Sequence, residues 1–165
     1  MKPKLTAALV AYFLAGCATA YGPEPVVGWS VDTGCESPSQ LDLDAITGGT
    51  SLWADFGVTV APDAPDATVH VTFCFVAGPA VEVDGAFYRG FTACDGDHCI
   101  TRINHLETVP ATYPALVAHE IAHALGVDGH LEPHQAGLMT SEGITCDGPC
   151  TWSPSDIALF ESFAL

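Results

Sequence analysis

The chain has 165 residues, with four Lys and Arg against 20 Asp and Glu, a formal net charge of −16. That charge argues against nucleic acid as a partner, since phosphate contacts need cationic side chains, and against electrostatic attachment to anionic lipid headgroups. The length suits one domain with a sizeable core.

In chain order, residues 1–16 read as an export signal. Lys2 and Lys4 precede an apolar run from Leu5 to Leu14, too short to span a membrane as a helix. Its end, Leu14-Ala15-Gly16-Cys17, resembles the lipobox of a bacterial lipoprotein signal. The resemblance implies cleavage before Cys17 and a lipid on that cysteine, hence an outer-membrane or cell-surface location. An ordinary secretory signal with an incidental Cys17 is the alternative. Residues 17–25 form a short tether.

Cleavage removes two lysines and no acid, leaving Arg89 and Arg102 as the basic residues and taking the formal charge to −18. Membrane contact is then expected through the lipid alone. The remaining field favours cationic peptide segments, or simply keeps an exported protein soluble.

Of the seven cysteines, six remain beyond Cys17, an even number that reads as disulfides in an exported chain. Cys94 with Cys99 and Cys146 with Cys150 suit local pairs across short loops, leaving Cys35 with Cys74. This is the simplest of fifteen connectivities. No Cys-x-x-Cys pair suggests a cysteine metal site.

Residues 26–165 read as one domain without repeats. A first strand is expected at Val26–Val31, then a helix from Pro38-Ser39 to about Phe56, weakened midway by Gly48-Gly49. A short strand follows at Gly57–Val60. In Ala67–Val76, apolar Val69, Val71, Phe73 and Phe75 alternate with His70, Thr72 and Cys74. His70 should face outward. Ala80–Phe91 carries the Asp84-Gly85 turn signal, and Cys99–Asn104 is a further strand. His98 and His105 read as surface or strand-end residues. Ser153-Pro154-Ser155-Asp156 starts a final helix with an apolar stripe at Ile157, Leu159, Phe160 and Phe163.

The chemistry is concentrated in His119-Glu120-Ile121-Ala122-His123-Ala124-Leu125-Gly126, at the end of a helix expected over about Pro114–Leu125. Histidines four apart lie on one helix face and can reach one metal ion. Glu120, beside the first ligand, can take a proton from water. Gly126 suits the left-handed residue that ends a helix. Three protein ligands and an open position describe a catalytic zinc.

This stretch, with His130 and with Gly137-Leu138-Met139-Thr140 after it, resembles the metzincin zinc peptidases, closest to the matrixin branch. The resemblance extends along nearly the whole mature chain. It implies an α+β, zincin-type single domain: a twisted mixed sheet with an N-terminal helix, an active-site helix and a C-terminal helix. It further implies a zinc endopeptidase with His119 and His123 as ligands, Glu120 as general base and Met139 in a turn beneath the metal. The substrate would be a peptide or protein, paired along an edge strand within Ala86–Ala93.

The family's third ligand falls three residues after the glycine, where this chain has Gly129. His130 is the expected ligand, delivered by a bulge at flexible Gly129; Asp128 and His134 are the alternatives. The loop Asp95-Gly96-Asp97 offers a weak calcium signal. A monomer is expected. Two rival readings are a non-catalytic zinc-binding surface lipoprotein and an amidase acting on peptide crosslinks.

Overall fold

Apolar alternation sets the centre of the sheet. The strand Val69–Val76 (β3) turns Val69, Val71, Phe73 and Phe75 into the core, and His70, Thr72 and Val76 lie half-buried. Beside it run Val26–Val31 (β1) and His98–Asn104 (β7), both parallel to it, with Val27 opposite Val69 and Val71 opposite Cys99. Thr59–Pro62 (β2) pairs parallel with β1 at one edge. Gly90–Asp95 (β6) pairs antiparallel with β7 at the other. The five-stranded order is β2-β1-β3-β7-β6, and Val81–Val83 (β4) with Ala86–Tyr88 (β5) makes a separate two-stranded hairpin.

The structure is a computed structural model that describes residues 25–78, 81–83, 86–106, 108–132, 135–140, 144, 146 and 149–163. The expected signal with Cys17, the tether before residue 25, the Asp84-Gly85 turn and His134 lie outside them. No helix among the described residues is long and apolar enough to cross a membrane.

Three α-helices complete a mixed α+β domain: Gln40–Ser51 (α1), Tyr113–Ala124 (α2) and Pro154–Phe163 (α3). Ser39 starts α1 with a capping box, its side chain accepting from the Asp42 N–H while the Asp42 carboxylate accepts the Ser39 N–H at 2.6 Å. The helix stops at Ser51 rather than near Phe56. A 3₁₀ turn, Ala54–Phe56, follows and ends at Gly57 with φ 70°. The break lets Trp53 enter an aromatic cluster with Phe56, Trp152 and Phe160, which seats α3.

Gly48 and Gly49 also let α2 approach. A Cβ at Gly49 would stand 2.6 Å from the Pro114 carbonyl oxygen and 2.7 Å from the Val117 side chain. Tyr113, Val117 and Ile121 of α2 are fully buried against the sheet core.

Three disulfides form, Cys35–Cys74, Cys94–Cys99 and Cys146–Cys150, the pairs that spacing suggested. They point to an oxidising environment. Cys35–Cys74 ties the segment before α1 to the central strand.

Candidate metal centre

Helix α2 runs under the edge strand β6 and ends in a Schellman turn. Gly126 takes φ 92°, its N–H reaches the His123 carbonyl at 3.0 Å, and the Val127 N–H reaches the Ala122 carbonyl at 3.0 Å. The turn brings the Val127 carbonyl onto the His123 ring, where Nδ1–H donates to it at 2.5 Å. One helical turn back, His119 Nδ1–H donates to the Leu138 carbonyl at 2.6 Å. A carbonyl only accepts, so the tautomer of both rings follows from these partners: Nδ1 carries the hydrogen and Nε2 holds a lone pair.

Those Nε2 atoms face each other. His119 Nε2 lies 3.0 Å from His123 Nε2 and 3.2 Å from His130 Nε2. Ligand nitrogens from all three rings fall within 4.8 Å of one another, and no other such group of His, Cys, Asp or Glu occurs among the described residues. His130 is therefore the residue that joins the helix pair, and Asp128 is exposed outside the group.

Burial, followed by the neighbouring His123 and His130 rings, pushes His119 down to about 3 against the pull of the Leu138 carbonyl. Burial likewise lowers His123 and His130. All three are neutral near pH 7. Two lone pairs 3.0 Å apart without a proton between them repel, and a cation between them removes the conflict. A tetrahedral zinc at its usual bond length spaces two nitrogen donors roughly 3.4 Å apart, so the arrangement fits a metal ion of zinc's size and ligand preference.

The loop after α2 is held from below. The Leu131 N–H donates to the Met139 carbonyl at 2.8 Å, next to a bridge between Leu131 and Thr140. Met139 is fully buried. Gly129 does not supply a bulge through glycine-only backbone; its φ is not positive. A Cβ there would come within 3.1 Å of the Phe163 ring of α3, a tight contact with a half-exposed side chain.

Sequence reasoning missed Asp156. Its fully buried carboxylate accepts the N–H groups of Leu138 (3.0 Å), Met139 (2.8 Å) and Ser153 (2.8 Å). Gly137 makes space for it, since a Cβ there would stand 2.6 Å from Asp156 Oδ1. In sequence Asp156 reads only as part of a helix start, and that signal carries no hint of the loop it holds.

Glu120 is 3% exposed and points toward β6. The Thr92 hydroxyl donates to its Oε2 at 2.8 Å. Burial raises its carboxyl to about 7, with the Thr92 hydrogen bond pulling the other way. A carboxyl in that range can exchange a proton near neutral pH.

The other histidines stand apart from this centre. His98 is exposed at the start of β7, stacked on His70 and 2.8 Å from Asp97. His105 lies between Asp42 (3.2 Å) and Glu36 (3.1 Å). Asp95-Gly96-Asp97 forms the β6–β7 turn, with Gly96 at φ 63°.

No protein-family model matches the chain, and no curated protein matches it either.

Proposed function

We propose that the protein is an exported, lipid-anchored zinc endopeptidase of metzincin type. The observation that carries the reading is the convergence of three imidazole Nε2 atoms beside a buried carboxyl raised to about 7. Its order of strands, active-site helix, buried Met139 turn and final helix suits the same family.

His119, His123 and His130 would hold the ion. Zinc supplies Lewis-acid chemistry when bound: it polarises a carbonyl and eases deprotonation of water. Glu120 takes the proton from the attacking water and hands it to the departing amine. Strand β6, the sheet edge nearest α2, offers its outer backbone groups to an extended peptide. The acidic surface favours cationic substrate segments.

Zinc-dependent cleavage of casein or a peptide library, abolished by a chelator and by Glu120→Gln, tests this reading. General-base loss costs about 100- to 10,000-fold. If Glu120→Gln cleaves as fast as the native chain, the mechanism fails. A second reading, a zinc-binding surface module without activity, draws on His130 standing one place beyond the family's third-ligand position. It predicts tight zinc binding and no cleavage of any peptide. For the anchor, Cys17→Ser should release the protein from the membrane fraction. Unchanged membrane association would defeat that part.

A further inference from the structure

We infer that Thr92 is a positioning residue for Glu120, with Thr101 behind it. The inference rests on the peptidase reading above. Strand β6 touches the carboxylate at two alternate inward positions. At Gly90, a Cβ would overlap Glu120 Oε1 and stand 2.8 Å from Cδ, so a side chain here would push the carboxylate out of this position. At Thr92, the hydroxyl binds Oε2 at 2.8 Å and approaches the Glu120 backbone carbonyl at 3.2 Å.

With Glu120 ionised, the form that can take a proton from water, hydrogen counting fixes the direction of the network. A threonine hydroxyl has one hydrogen, and an ionised carboxylate only accepts. Thr92 therefore donates to Glu120. The Thr92–Thr101 contact of 2.9 Å must then run from the Thr101 hydroxyl to Thr92 Oγ1. Thr101 is fully buried on β7, directly opposite Thr92. Two inward-facing hydroxyls on neighbouring strands cost free energy unless bonded, and valine would fill either place with the same shape. The donors run in series, from Thr101 to Thr92 and from Thr92 to the base.

The consequence is geometric. Without this bond the Glu120 carboxylate is free to turn about its last side-chain torsion, and either oxygen could face the reacting water. Thr92 ties down Oε2, and Gly90 leaves room for Oε1. The strand that would pair with the substrate also orients the base, so both keep a common register. Small misplacements of catalytic groups cost up to about 100-fold in rate.

The test compares Thr92→Val, which removes the hydroxyl, with Thr92→Ser, which keeps it, using casein and one quenched fluorescent peptide it yields. Expected for Thr92→Val is a kcat lowered about 10- to 100-fold, with KM and zinc affinity within about threefold of the native chain. Thr92→Ser should restore kcat to within about threefold. A readout free of activity uses the metal-free native protein. The hydroxyl protons of Thr92 and Thr101 should be visible by NMR through slow exchange, and the Thr92 signal should move in Glu120→Gln. Undiminished kcat in Thr92→Val, equal losses in the Val and Ser variants, or solvent-fast exchange of both hydroxyls overturns the assignment while leaving the peptidase reading intact. A zinc-loaded native chain that cleaves nothing overturns both.

Discussion

The Asp156 carboxylate accepts the Met139 backbone N–H at 2.8 Å, so the last helix holds the turn beneath the histidine cluster. The same carboxylate holds Leu138, whose carbonyl fixes the His119 ring. One buried acid on the last helix thus reaches the histidine cluster through two hydrogen bonds. Asp156→Ala would leave the Leu138, Met139 and Ser153 N–H groups without this acceptor. It should cost about 3–5 kcal/mol of stability, at about 1–3 kcal/mol per buried orphaned group with partial relaxation. Urea unfolding of the metal-free protein measures it. A loss below about 1 kcal/mol would mean that Asp156 does not hold the turn.

His130 completes the cluster with its Nε2 atom 3.2 Å from that of His119. His130→Ala should weaken zinc binding more than about 100-fold, beyond the effect typical of residues that only support ligands. Asp128→Ala should change it by less than about threefold, since Asp128 lies outside the group. Competition with a chromogenic chelator gives both constants. Equal affinities for His130→Ala and the native chain would remove His130 from the site.

A pH-dependent clasp lies where α1 meets α2. Burial pushes the His105 imidazole down, but Asp42 and Glu36 outweigh it and the net shift is upward. A histidine whose folded value is raised adds stability below its unfolded value, about 6.5, and loses that stability as pH rises through the folded value. Asp42 is the mirror case. Burial raises it, yet hydrogen bonds from Tyr113, Ser39 and His105 bring it below the ordinary range. Its contribution is present above about 4 and fades as pH falls through the folded value. The native chain should therefore exceed His105→Gln in stability by about 1–2 kcal/mol at pH 5.5, with a smaller margin at pH 8.5. Chemical denaturation at both values decides it, and a margin that grows with pH would refute the clasp.

The Cys35–Cys74 bridge closes a 39-residue separation, whereas Cys94–Cys99 closes five. On chain-entropy grounds the first should contribute about 4 kcal/mol and the second about 2 kcal/mol. The Cys35→Ala/Cys74→Ala pair should lower the unfolding midpoint more than Cys94→Ala/Cys99→Ala. The opposite order would show that the β6–β7 turn depends on its bridge for reasons other than loop closure.

The spacing of His119 and His123 determined, without any structure, that two imidazoles share a helix face, because 3.6 residues per turn leaves no other outcome once the helix forms. Gly126 marked the helix end for an equally local reason, its tolerance of positive φ. Alternation in Val69–Val76 specified a strand with one buried face, and Ser153-Pro154 marked the start of the last helix. The third nitrogen was named from the family resemblance as His130, and the cluster contains it, but local periodicity could not separate it from Asp128 or His134. The segment from Val127 to Leu131 has no period, and its end is tied by the Leu131 N–H to the Met139 carbonyl, a group from further along the chain. Asp156 and Thr92 were invisible for the same reason, since each is defined by a partner 17 to 28 positions away. Gly48 and Gly49 read in the sequence as a weak point of the helix, and the packed chain shows them also as space for a neighbouring helix. A local pattern records the backbone torsions a residue prefers, and only the packed chain decides which surfaces must come close enough to need a missing side chain.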